Sequence, residues 1–149
     1  MITKRIFNDA EQLHNTNGPS EIEPDGTQRF YINGKLHRDG DLPAVVYGAG
    51  DCKWFVNGKL HREGDKPAII YNSGTQKFYR HGLLHREGGR PAVIWDNGSL
   101  EWWEDGQRLT EFGEPWTENT PKLSVVKDVI DEEQVEVEAE VVEEAEDEQ

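Results

Sequence analysis

Apolar residues in this chain fall in short clusters parted by polar turns, and through the middle of the sequence the pattern returns every 24 residues. One step joins Phe30, Trp54, Phe78 and Trp102; the adjacent step joins Tyr31, Phe55, Tyr79 and Trp103. Each aromatic pair sits in a short run such as Lys53-Trp54-Phe55-Val56. A second run, as in Pro67-Ala68-Ile69-Ile70-Tyr71, opens on a proline. Proline suits a first strand position, where no N–H is asked of it. Short runs rich in aromatic and β-branched residues predict strands, and no sustained helical period interrupts them between residues 20 and 116.

The turns between runs are equally regular. Asn57-Gly58 is a strong two-residue hairpin signal, because a type I′ turn needs φ > 0 at both positions. Asn33-Gly34 repeats it, and His81-Gly82 and Asp105-Gly106 are weaker versions. A second set of glycines, Gly26, Gly50, Gly74 and Gly98, turns the chain into the next unit. Prolines at 43, 67, 91 and 115 keep the same step. The expected fold class is therefore all-β: an antiparallel β-meander of tandem 24-residue hairpin repeats.

Worn copies flank the clear ones. Leu13-His14-Asn15-Thr16-Asn17-Gly18-Pro19 matches the second half of a unit, with one residue fewer between His and Pro. At the other end Arg108-Leu109-Thr110 replaces Leu-His-Arg. Atypical end units are expected of stacked repeats, whose outer edges face water. The expected division is an N-terminal extension with a half repeat at 1–19, a repeat domain at 20–120 and an acidic tail at 121–149.

Alternation along a strand assigns faces. Phe30, Trp54, Phe78 and Trp102 point one way. Tyr31, Phe55, Tyr79 and Trp103 point the other, beside Arg29, Lys53, Lys77 and Glu101. Both faces thus carry aromatic columns. Either the meander curls until both are partly covered, or one column stays open as a binding surface.

Charge sharpens this picture. The chain carries a net charge of -14, unevenly placed: residues 26–95 are net +5, and residues 96–149 are net -16. Residues 128–149 hold twelve acids and no base. Such a block predicts a solvated, disordered tail, although Val126, Ile130, Val137 and Val141 partly fit a helical stripe. No apolar run approaches the roughly 18 residues of a membrane span. The start, Met1 to Phe7, meets Asn8 and Asp9 too soon for a secretory signal. Cys52 is the single cysteine, which excludes an intramolecular disulfide and points to a reducing, cytoplasmic setting.

The element Leu-His-Arg recurs at 36–38, 60–62 and 84–86, each time followed by an acid. It aligns His37, His61 and His85, with Arg38, Arg62 and Arg86 beside them. Two strands per unit separate equivalent atoms by about 9–10 Å, at roughly 4.8 Å per strand. Zinc needs ligands at about 2.0–2.3 Å, so the histidines are not expected to share a metal. The expectation is a structural role, tying each loop to its neighbour through carbonyls and carboxylates. His37-Arg38-Asp39 also matches the start of a kinase catalytic loop, but the glycine-rich loop, the lysine and the Asp-Phe-Gly of that set are missing. No catalytic residue, metal or cofactor is expected.

The pattern Asp-Gly-x-x-x-aromatic-aromatic-x-Asn-Gly-x-Leu-His-Arg-(Asp/Glu)-Gly-x-x-Pro-Ala-Val runs from Asp25-Gly26 through Val45 and returns from Trp54 through Ile70. It resembles the MORN-like repeats of many phage, large-virus and bacterial proteins, over roughly residues 20–116. The Leu-His-Arg and Pro-Ala elements depart from the usual unit. The resemblance implies an elongated hairpin sheet that binds a protein partner, and a phage or viral accessory protein acting in a host cytoplasm.

The leading expectation is a non-catalytic interaction module binding another protein along its repeat face, with no membrane role. The alternative is a nucleic-acid or nucleotide binder. Tyr31, Phe55, Tyr79 and Trp103 would stack bases, Arg29, Lys53 and Lys77 would meet phosphates, and the tail would screen them. A structural virion component is a further alternative. Exposed repeat edges would also allow self-association.

Overall fold

The computed structural model describes residues 3–119, so the acidic tail expected from residue 121 lies outside the described residues. The chain divides into two units, Met1–Trp116 and Thr117–Gln149, and every strand among the described residues belongs to the first.

The fold is all-β, dominated by one large antiparallel sheet of many short strands. Its ten strands follow in the order Lys4–Arg5, Glu21–Ile22, Gln28–Arg29, Val45–Val46, Cys52–Lys53, Ile69–Ile70, Gln76–Lys77, Val93–Ile94, Leu100–Glu104 and Gln107–Leu109. Three two-stranded hairpins are interposed: Tyr31–Ile32 with Lys35–Leu36, Phe55–Val56 with Lys59–Leu60, and Tyr79–Arg80 with Leu83–Leu84. The hairpin turns are those the Asn-Gly signals predict. Asn33, Asn57, His81 and Asp105 have φ of 48, 50, 49 and 46°, each followed by a glycine of positive φ. Two successive positive φ values are the mark of a type I′ turn, which matches the twist of its strands.

One expectation needs refining. Lys53-Trp54-Phe55-Val56 does not form a single strand. The chain passes from the large sheet into the hairpin at Trp54. Its N–H donates to the Ala68 carbonyl at 2.8 Å, and its carbonyl accepts the His61 N–H at 3.1 Å. Phe30 divides its bonds between Ala44 and His37, and Phe78 between Ala92 and His85. The changeover residue is held from both sides, so its side chain is fixed in the interior. Phe30, Trp54 and Phe78 are buried, together with Ala44, Ala68, Ala92, Val45, Ile69 and Val93. Each large side chain among them contributes about 1.5–3 kcal/mol by leaving water. In the last copy Leu100–Glu104 runs unbroken through Trp102, which is only half-buried.

Successive hairpins are joined by backbone bonds. Gly34, Gly58, Gly82 and Gly106 donate N–H to the carbonyls of Leu13, Leu36, Leu60 and Leu84. No helix among the described residues is long and apolar enough to cross a membrane.

Candidate interaction surface

The repeated histidines sit between consecutive hairpins. Nδ1 of His37, His61 and His85 accepts the backbone N–H of Asn57, His81 and Asp105 at 3.1, 3.2 and 3.1 Å. His14, in the worn first copy, does the same for Asn33 at 3.1 Å. The donor is always the first turn residue, whose N–H points out of its own hairpin. A ring nitrogen that accepts carries no proton, so Nε2 of His37 and His61 bears the hydrogen. It donates to Asp39 and to Glu63, both at 3.0 Å. That bond holds the Glu63 carboxyl below the usual carboxylate range. His85 differs, because the Asp105 carboxylate also lies 3.1 Å from its Nδ1. The His61 and His81 rings stack at 4.2 Å and 4°. Among the described residues no group of three His, Cys, Asp or Glu side chains is placed to hold a metal ion.

The arginines lie over the core aromatics. The guanidinium carbons of Arg38, Arg62 and Arg86 stand 3.7, 3.9 and 3.8 Å from the ring centroids of Phe30, Trp54 and Phe78. Nη1 of each donates to the proline carbonyl five residues on, at Pro43, Pro67 and Pro91. Arg62 also grips Asp41 of the preceding copy with two prongs, Nε to Oδ1 at 2.7 Å and Nη2 to Oδ2 at 3.2 Å. Arg86 grips Asp65 likewise, at 2.7 and 2.9 Å. Lys66 and Arg90 reinforce the two acids. These cations hold both carboxyls below their ordinary value.

The aromatic-basic candidates are arranged differently from a simple alternating platform. Tyr31, Phe55, Tyr79 and Trp103 lie on the hairpins and are half-buried. Opposite them across each hairpin stand Leu36, Leu60, Leu84 and Arg108. Burial raises the phenols of Tyr31 and Tyr79. Arg29, Lys53 and Lys77 belong to the large sheet and address other rings. Lys53 Nζ donates to the Tyr47 hydroxyl at 3.1 Å and lies over that ring. Lys77 lies over Tyr71 and Trp95. Arg29 is bracketed by the carboxylates of Glu21 and Glu23. Glu101, in the fourth position of this series, accepts from the indoles of Trp95 and Trp103.

Tyr47, Tyr71 and Trp95 escape a reading focused on the aromatic pairs, although they too keep the 24-residue step. So do Asp41 and Asp65. A third row lies at the far turns: Thr27, Asp51 and Thr75 side chains accept the backbone N–H of Gly48, Asn72 and Asp96 at 3.2, 2.8 and 3.1 Å. Histidine side chains thus join successive hairpins, arginine–aspartate pairs join Arg62 and Arg86 to the copies before them, and the turn side chains add a third row of ties.

Searches of family models, curated proteins and solved structures return no match to this chain.

Proposed function

We propose that this chain is a non-catalytic interaction module, a stack of 24-residue hairpin units resembling MORN-like repeats, which binds another protein along its hairpin face. The observation that carries this reading is the cross-strand pairing of each hairpin. Tyr31 faces Leu36, Phe55 faces Leu60, and Tyr79 faces Leu84, all half-buried. Residues directly opposed in an antiparallel pair share a face. The result is a stripe of aromatic and leucine side chains, one pair per unit, left partly open to solvent. Protein interfaces are enriched in such aromatics, and rigid stacked units present them at fixed spacing.

The cations that a nucleic acid would need are engaged elsewhere. Arg29 is paired with two glutamates, Lys53 with Tyr47, and Lys77 with two rings. This favours a protein partner over a nucleic acid. The Leu-His-Arg elements are spent on contacts between copies, which suits a scaffold more than a reaction centre. A cytoplasmic setting, and a phage or viral accessory role, rest on the sequence resemblance and belong to the same proposal.

The test is affinity capture by the full chain, with and without Tyr31→Ser, Phe55→Ser and Tyr79→Ser together, washed at moderate salt. A discrete protein retained by the natural chain and lost by the folded triple variant is the expected result. Recovery of nucleic acid that vanishes as salt is raised would instead favour the basic residues of the large sheet.

A further inference from the structure

Arg38 is the odd member of its series. It has the same pose as Arg62 and Arg86: its guanidinium lies 3.7 Å over Phe30 and its Nη1 donates to Pro43 at 3.2 Å. At Arg62 and Arg86 the remaining edge, Nε and Nη2, is filled by both oxygens of an aspartate from the preceding copy. The copy before Arg38 is the worn one. Its loop is one residue shorter, and Asn15, Thr16, Asn17 and Gly18 bring no acid. Among the described residues no carboxylate meets Arg38. Asp39, its neighbour in sequence, is turned to His37.

A pocket of about 300 Å³ opens where the aspartate would be, lined by Asn17, Gly18, Phe30, Arg38, Leu42 and the His37-bonded Asp39 among others. Burial without a compensating acid lowers the Arg38 guanidinium from its usual value. Leu42 is 46% exposed at the rim, giving an apolar contact beside the charged one.

We infer that the Arg38 pocket is a binding site for a carboxylate, such as an acidic side chain or chain end of a peptide. The fold supplies its own template for the ligand. In the two following copies a planar carboxylate occupies the equivalent edge with two parallel bonds, the geometry in which arginine binds carboxylates best. The guanidinium is already fixed by the Phe30 ring and the Pro43 carbonyl, so little rotamer freedom is left to lose on binding. The occupant this chemistry fits is a carboxylate of a separate acidic peptide.

The experiment uses the full-length chain with isotope-labelled arginine, its Nε–H signals assigned through bonds. N-acetylglutamate is the probe, with inorganic phosphate and chloride at matched ionic strength as controls. The expected result is a saturable shift of the Arg38 signal, while Arg62 and Arg86 stay in place. No saturable shift at Arg38 overturns the site, as does an equal drift of all three arginines or an equal response to phosphate.

Discussion

Asp41 and Arg62, 21 residues apart, form a two-pronged ion pair between consecutive copies, with oxygen–nitrogen distances of 2.7 and 3.2 Å. Asp65 and Arg86 repeat it one step later. At the next step Gly89 stands in the acid's place and Thr110 in the arginine's, so both partners leave together. At the other end of the series the arginine stands alone, since Asn17 takes the place one step before Asp41 and Arg38 keeps no acid partner.

This pairing sets a pH dependence. The folded carboxyl of Asp41 lies below its ordinary 3.8, because Arg62 and Lys66 hold its charged form. A depressed folded value means the contribution is complete above the unfolded value and is lost as pH falls through the folded one. Asp41→Asn is therefore expected to lower the thermal midpoint at about pH 7, with the deficit shrinking below about pH 4. Parallel melts of the natural and variant chains across that range check it. A deficit that is constant with pH would mean that charge plays no part.

His61→Ala removes the acceptor for the His81 N–H and the ring stacked on His81. Leaving a partly buried donor unmatched costs about 1–3 kcal/mol. Urea unfolding measures it. His61→Ala is expected to fall at the upper part of that range, since the ring is itself buried.

Gly48 is required by space. A Cβ there would stand 1.9 Å from the Asp25 carbonyl oxygen, a backbone atom that cannot swing aside. Gly48→Ala is expected to cost about 1–3 kcal/mol through the forced shift of the neighbouring turn. Gly40→Ala is the control for strain without a clash. Its positive φ of 77° disfavours alanine, but nothing lies within 4 Å of the added methyl. A smaller loss is expected there, again read by urea unfolding.

Much of this fold is legible in the chain. Asn33-Gly34 and Asn57-Gly58 announce their turns because the left-handed conformation they need is a local property. Alternation separates Phe30, Trp54 and Phe78 from Tyr31, Phe55 and Tyr79, but it does not say which column is buried. The break at Trp54 is not legible in the same way, because it depends on bonds to Ala68 and His61, which only the folded chain brings alongside. The same holds for the surface. Lys53 stands two residues before Phe55 in sequence yet rests on Tyr47, six residues away, since the strand pairing of Val45 with Lys53 sets that geometry. Asp41 and Asp65 keep the step too, but nothing in the spacing says that each acid reaches forward to the following copy.

The most direct test of the interaction reading is site-specific photo-crosslinking in an extract of the source cells. A photoreactive residue is placed in the full chain at position 79, on the hairpin stripe, or at position 72, in the exposed turn at the far edge. The account predicts a discrete protein adduct from position 79 that survives nuclease and is absent from position 72. The same adducts from both positions, or an adduct removed by nuclease, would contradict it.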